Sequence, residues 1–579
     1  MSCERIAQLS GHLSSAEKKP MPPYEILEQP LGNTRHIRIV NIGAGMSGIN
    51  MIRTLRLHLT DFEHVVYEKN PSVGGTWFEN RYPGCKCDVP SHNYQFSWRP
   101  NPEWKGFFST STEIEAYLCQ ICEEEQMHDS IRTQHQVERA VWDDVNGLWR
   151  LRVHDLRNDT EFDDYCHFLL DSSGILNHWK WPNIPGLHDF QGRLIHSADW
   201  PSQFDYTDLT VALIGNGSSG VQILPEIQRD VKHPIHFVRE PTWIVPSRLQ
   251  ILAQGAGDGI LGEVAMDENS NFTEAQIERF KSDPAYYHRF VKAVEEVVNG
   301  NFPLTLQDTE LANRLHSQAT AYMSQALGGD DRLCKALIPD FPLGCRRLTP
   351  GVDYLESLTK PNVRVVTDTI SKVVPEGLLL MTGEIIQVGA IVCATGFNVS
   401  FCPRFPIIGR RGNLQDVWTR DVPKAYMSLA VPNFPNYFTF LGPNAPIGHG
   451  SVFTITEHIA KYVVRIIKKC QIEGVKSLSP HQSAVDEYFE HIQSFMPRTA
   501  WSSNCVSWFK NGTQDGPVIA LHPGSRIHFF HMLDAFRGED WEFDYYNKRN
   551  RFQYLGNGFS TREMGGGNST WYLDQPDVL

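Results

Sequence analysis

Two glycine-rich turns of the same form constrain this chain more than any other feature: Gly43-Ala-Gly45-Met-Ser-Gly48 and Gly215-Asn-Gly217-Ser-Ser-Gly220. Each follows an apolar, β-branched run (Ile37 to Ile42, Leu209 to Ile214) and opens a stretch with helical spacing. A strand, tight turn and helix in this order let the backbone approach a pyrophosphate whose charge meets the helix N-terminus. The pattern predicts an α/β chain with two Rossmann-like dinucleotide-binding domains.

The strands that follow the two turns end differently. HVVYE ends at Glu68, 20 residues after Gly48, where a carboxylate accepts from a ribose 2'-OH. IHFVRE presents Val238 and Arg239 instead, and an Arg there suits a 2'-phosphate that an acid would repel. The alternative for Arg239 is an ordinary surface cation at a strand end. Opposite ribose chemistry implies two different dinucleotides, and the combination points to FAD reduced by NADPH. Two further turns, HFLLDSSGILN (167–177) and IVCATGFN (391–398), bracket the second cradle and read as the exits between the domains. The expected organisation is a flexible arm (1–34), an FAD-binding domain (35–178 and 381–579, the latter with a C-terminal segment) and an NADP-binding domain (179–249 and 336–380). A separate helical insertion is expected at 250–335, with a capping box at Thr273 to Gln276 and a stripe of Phe290, Val294 and Val297.

Composition narrows the partners. Fifty-three Lys and Arg against 67 Asp and Glu give a formal net charge of -14, which argues against a general nucleic-acid binder. No apolar run reaches about 18 residues, so no membrane span is expected. The first residues carry no secretory pattern and the last no simple retention signal, so a cytoplasmic location is the default expectation. Twelve scattered cysteines suggest reduced thiols in an intracellular protein. Cys119-Gln-Ile-Cys122 falls in a helical pattern, and neither it nor Cys85 and Cys87 has a partner set at zinc spacing. His528 and His531 also lack a carboxylate pattern, so no metal is assigned.

One stretch fits no regular element. In DFQGRLIHSADWP, Phe190, Gly192, His196 and Trp200 are spaced for neither a helix nor a strand. The stretch resembles the FxGxxxHxxxWP fingerprint of Baeyer-Villiger monooxygenases, flavoproteins that insert oxygen beside a ketone carbonyl. GGTWFENRYPGCKCDVPSHNYQFSW (74–98) and RRLTPGVDYLESL (346–358) resemble the same family, and the likeness spans roughly residues 36 to 560.

The resemblance implies an NADPH- and O2-dependent enzyme that turns a ketone into an ester or lactone through a flavin C4a-peroxide. That peroxide must stay anionic to attack a carbonyl, which calls for a fixed cation beside it. Arg347 matches the family's active arginine, and Asp88 the carboxylate that positions it. Carried over in the same way, Gly43, Gly45, Ser47, Gly48, Glu68, Gly75, Thr76, Trp77, Phe78, Glu79, Asp88, Val89 and Tyr94 belong to the FAD site. Lys86, Cys87, the loop Gly215, Asn216, Gly217, Ser218, Ser219, Gly220 and Val221, then Val238, Arg239 and Arg346, belong to the NADP site. Trp508 resembles a tryptophan that reaches over nicotinamide and substrate; a core or surface indole is its alternative. His196 is expected to couple the two domains rather than to do chemistry. The chain departs from the family by Arg346 where many relatives have Lys, and by Ala390 where an Asp is common. The form of residues 346–358 and the long arm resemble members acting on bulky natural-product ketones. A flavin-dependent N- or S-oxygenase is the alternative enzyme, and a non-catalytic nucleotide-binding protein the alternative of another class.

Overall fold

The computed structural model describes residues 24–246, 259–448 and 450–574. Five parallel strands form one sheet in the order Tyr437–Thr439, Phe168–Asp171, Ile37–Ile42, Phe62–Glu68, Ile131–Thr133. Five more form a second in the order Arg364–Val366, His233–Phe237, Thr210–Ile214, Ala390–Cys393, Arg193–His196. In each sheet the strand before the glycine-rich turn lies in the middle, and its composition explains why. Ile37, Ile39 and Val40, like Val211, Ala212 and Leu213, are wholly buried, as a parallel strand covered on both faces must be. The helix Met46–His58 buries one side against the 21-residue helix Val452–Ile472, so the C-terminal third of the chain completes the core of the first unit.

Several boundaries differ from the sequence expectation. Strand Ala390–Cys393 pairs with Thr210–Ile214 and Arg193–His196, so the second sheet continues past residue 381 and the crossing to the first unit follows the Ala394-Thr395-Gly396 turn. The helical insertion is not a separate body. Helices Ile260–Glu263, Glu274–Ser282 and Pro284–Gly300 build an aromatic cluster with Phe107 of the first unit, whereas Glu310–Ala326 and Asp331–Leu337 supply Ala319, Met323, Leu333 and Leu337 to the core of the second. Phe290 and Val294 are buried as expected and Val297 partly so. The capping box is only half made: Thr273 accepts from the Gln276 N–H, but the Gln276 side chain accepts from Ala265 instead.

The described end of the N-terminal arm is tied down. Leu31 N–H donates to the Phe559 carbonyl at 2.7 Å, and Asn557 N–H to that of Gln29 at 3.0 Å, so a flexible arm up to residue 34 is corrected by this pairing with the C-terminal segment. The cysteines are not all free either, since Cys345 and Cys505 form a disulfide. The helical reading of Cys119 and Cys122 holds, both lying on Ser111–Glu124. A mixed sheet of Thr160–Cys166, Leu148–Asp155, His135–Asp143 and Ile407–Gly409, ending in Gly412–Asn413, extends the first unit, and the described residues contain no helix long and apolar enough to cross a membrane.

Candidate active site

Both cradles are closed by the same contact. A Cβ on Gly48 would lie 2.1 Å from the Gly43 carbonyl oxygen, and one on Gly220 2.0 Å from that of Gly215, so neither position admits a side chain without opening its turn. Gly43 (φ +95°) backs onto the Ser172 carbonyl and Gly215 (φ +105°) onto that of Ala394, which places each exit turn against one cradle. Around Gly217 nothing lies within 4 Å of an added Cβ, leaving the N-terminus of helix Ser218–Ile227 open toward a phosphate. Gly45 faces Gly75 at the N-terminus of helix Met46–His58, and Ser47 lies in its first turn. Backbone thus approaches a ligand where glycine requires it, and the residues fit two pyrophosphates.

Glu68 is 4% exposed, and its carboxylate accepts from the N–H groups of Ala44 and Asn70, both at 2.8 Å. It therefore stands at the mouth of the first cradle already engaged by backbone, and burial raises its pKa. Thr76, Trp77, Phe78 and Glu79 form one short helix after Gly75, with Trp77 edge-on to Tyr94 at 5.5 Å and Thr76 exposed. Glu79 pairs with Lys69, and Val89 is buried over the Cys87 thiol.

The centre of the constellation is the pair Asp88 and Arg347. Arg347 Nε donates to Asp88 Oδ2 at 2.6 Å and Nη2 to Oδ1 at 2.7 Å, a two-pronged ion pair across 259 residues of sequence. The carboxylate raises the arginine's pKa above its already high ordinary value, so the guanidinium is a permanent cation. Its side chain stays 34% exposed against 16% for Asp88, so the pair is not closed off from solvent. Asp88 sits on a loop whose anchors, Tyr82 and Gln222, sequence reading did not single out. Tyr82 Oη donates to Gln222 Oε1 at 2.9 Å, and Gln222 Nε2 donates to the Lys86 carbonyl, also at 2.9 Å, joining the Asp88 loop to the first turns of the second cradle's helix. A glycine is needed between them, since a Cβ on Gly84 (φ +75°) would press into the Gln222 carbonyl at 2.6 Å.

At the end of strand His233–Phe237 Val238 is buried and Arg239 exposed, without an ion-pair partner among the described residues. Arg346 lies at the same strand end, but its fork holds the Glu240 carboxylate and the Pro241 carbonyl. Asn216 donates to the Glu240 carbonyl at 2.9 Å, and the Lys86 side chain is exposed. Trp508 is half-buried at the start of the short helix Trp508–Lys510 and packs on the core of the first unit.

The fingerprint packs at the exit turn of the second sheet. His196 accepts from Ala198 N–H at 3.2 Å through Nδ1, and its Nε2 lies 3.4 Å from the Thr395 hydroxyl in the exit turn. It stacks on Trp179 at 4.5 Å, and burial lowers its pKa to about 4, so the ring is neutral. Phe190 is buried in the second unit, a Cβ on Gly192 would meet the Gly389 carbonyl at 2.5 Å, and Trp200 packs against Phe204 and Tyr206. Trp179 and Trp181, both around His196, went unnoticed because HWKWP has no periodicity of its own.

Comparison with known proteins agrees with this geometry. Residues 42–110 match the NAD(P)-binding Rossmann-like domain family. The chain is 37% identical to an FAD-binding monooxygenase of Emericella nidulans over 92% of its own length and 87% of the relative's. It is 31% identical to a Baeyer-Villiger monooxygenase of Streptomyces coelicolor over 85% and 90% of the two chains. The fold superimposes on a cyclohexanone monooxygenase from Rhodococcus bound to NADP+ with a TM-score of 0.74 at 23% identity, covering 89% of this chain and all of the other. Two cradles, a fixed cation between them and relatives along nearly the whole length lead to one assignment: the chain belongs to the FAD-binding monooxygenases of the Baeyer-Villiger type.

Proposed function

We propose that the protein is an NADPH- and O2-dependent monooxygenase that inserts one oxygen atom beside a ketone carbonyl, giving an ester or lactone. The observation that carries this reading is the two-pronged Asp88–Arg347 pair set between two dinucleotide cradles. FAD, when bound, would supply the redox chemistry that links NADPH to oxygen. Gly43 to Gly48 with Ser47, Gly75 to Glu79, Val89 and Tyr94 would hold it; Gly215 to Val221, Lys86, Cys87, Val238, Arg239 and Arg346 would hold NADPH.

Arg347 provides positive charge where negative charge grows on oxygen during attack on the carbonyl. A fixed cation is worth more there than in water, because the site needs no solvent reorganisation to respond. Asp88 holds the guanidinium plane and leaves part of the fork free. Nucleophilic oxygen transfer gains from such a cation, whereas oxidation of an amine or sulfide by a protonated hydroperoxide gains little from it. His196 remains neutral and one step away from the reacting atoms, linking strand Arg193–His196 to the exit turn at Thr395. We propose a cytoplasmic enzyme acting on bulky natural-product-like ketones; the form of residues 346–358 supports the substrate class.

The test is NADPH consumption by the purified yellow protein against a panel of ketones, amines and sulfides, with product masses. Ketone-dependent consumption with a product heavier than substrate by one oxygen is expected. Hydrogen peroxide alone, or an N- or S-oxide as the sole oxygenated product, would overturn the reading.

A further inference from the structure

Three consecutive residues reach three different parts of the molecule. Arg346 pairs with Glu240 of the second unit, Arg347 with Asp88 of the first, and Cys345 is joined to Cys505, 160 residues on. Cys505 lies in the segment WSSNCVSWFK, whose Trp501 and Phe509 belong to the core of the first unit, while both cysteines belong to that of the second. The segment thus spans the two cores, and the disulfide is a covalent tie to the stretch that bears Arg347. It is also braced from within and from outside. Within it, Lys510 Nζ donates to the carbonyls of Ser503 (2.6 Å) and Gln514 (2.5 Å); from outside, Gln307 Nε2 donates to the Thr499 carbonyl (2.6 Å) and the Ser503 hydroxyl (3.2 Å). A segment tied together by Lys510 moves as one piece, and Trp508 stands three residues from the bridge.

We propose that the Cys345–Cys505 disulfide is a positioning device for the oxygenation site: it fixes the 501–515 segment, and Trp508 with it, against the Arg347 backbone. The inference rests on the functional reading above. Its consequence is that NADP+ is retained while oxygen is transferred. Closing the bridge removes two electrons and two protons from the two thiols. Hydrogen peroxide accepts them and leaves as two waters, one thiol first becoming a sulfenic acid that the other displaces. Peroxide is the product this site releases when oxygen transfer fails, so poor coupling generates the oxidant that restores the tie. Both sulfurs are buried, with Cys345 at 0% and Cys505 at 4% exposure, which shields the closed bridge from protein reductants and makes its opening by a small phosphine slow. With the bridge open, packing and the Gln307 hydrogen bonds hold the segment in place, without a covalent tie to the Arg347 stretch.

The experiment uses the holoenzyme. Alkylation with and without a phosphine reductant, followed by digestion and mass spectrometry, maps the bridge; NADP+ affinity and hydrogen peroxide released per NADPH are then measured for wild type, reductant-treated wild type and Cys505→Ser. Expected are cross-linked 345 and 505 peptides before reduction. Both open forms should bind NADP+ about tenfold more weakly, with a matching rise in peroxide. Flavin content and the rate of flavin reduction at saturating NADPH should stay at wild-type values, and the reductant should have no effect on Cys505→Ser. Free thiols at both positions in untreated and peroxide-treated enzyme would overturn the proposal, as would a Cys505→Ser enzyme with wild-type NADP+ affinity and coupling. If the variant fails to fold, the reductant-treated wild type decides by the same two readouts. Absence of ester from every ketone overturns the functional reading instead, because the bridge map and NADP+ affinity need no ketone.

Discussion

Removing the carboxylate that holds Arg347 tests the arrangement without touching the cation itself. The two side chains meet at 2.6 and 2.7 Å, with charge centres about 4 Å apart, an attraction of about 4 kcal/mol at an effective dielectric of 20. Arg347 is one-third exposed, so solvent screening reduces the figure to about 2 to 3 kcal/mol. If that energy keeps the guanidinium at the oxygen-transfer position, Asp88→Ala slows ester formation roughly 30- to 150-fold at 1.36 kcal/mol per decade. Asp88→Asn, which keeps an acceptor but loses the charge, should fall between the two. The assay is single-turnover: enzyme reduced by NADPH is mixed with oxygen and ketone, and ester and hydrogen peroxide are quantified together. Ester lost should be replaced by peroxide. Asp88→Ala turning over to ester within threefold of wild type would show that Arg347 does not need its partner.

The glycine contacts separate the two nucleotides. Gly48→Ala, with a Cβ 2.1 Å from the Gly43 oxygen, should yield protein purified without flavin absorbance, whereas Gly220→Ala should remain yellow but lose reduction by NADPH; an absorbance spectrum before and after adding NADPH reads both. Arg239→Ala should raise KM for NADPH about tenfold or more and leave NADH nearly unchanged, since only NADPH has a 2'-phosphate; equal effects on both would remove Arg239 from that role. Acid should destabilise the fold through buried histidines. His92 and His236 have pKa values lowered by burial from 6.5 to about 3 and about 4. As pH falls from 6.5 to 4 the unfolded chain takes up protons that the folded one refuses, so stability is lost over that window, by about 3 kcal/mol per histidine at pH 4. Urea midpoints measured from pH 7 to 4 check this, and a flat profile contradicts it.

The parts of this molecule visible in its sequence are those where chemistry forces residue identity at short range. The cradles were readable because Gly48 and Gly220 face a carbonyl one turn away, a local constraint that no other residue satisfies. The pairing of Asp88 with Arg347 could be named only by resemblance, since 259 residues separate them and neither type is distinctive alone. Gln222 and Tyr82 were invisible for the same reason: a glutamine in a helix says nothing until the loop it grips is in place. The insertion misled because its stripe of Phe290, Val294 and Val297 looked self-contained. That stripe closes on Phe107, while the later helices close on the core around Val211 and Leu213, and periodicity reports that a face is buried but not against what. The disulfide was hidden because cysteine spacing carries no pairing information across 160 residues, and scattered cysteines suggested free thiols.

The central claim is that a cation at position 347 makes this a ketone-oxygenating site. It is tested most directly by comparing wild type with Arg347→Ala under 18O2, following NADPH consumed, labelled ester formed and hydrogen peroxide released. The account predicts one 18O atom in each wild-type ester, and for Arg347→Ala flavin still reduced by NADPH with labelled peroxide in place of ester. Labelled ester formed by Arg347→Ala at the wild-type rate would contradict it.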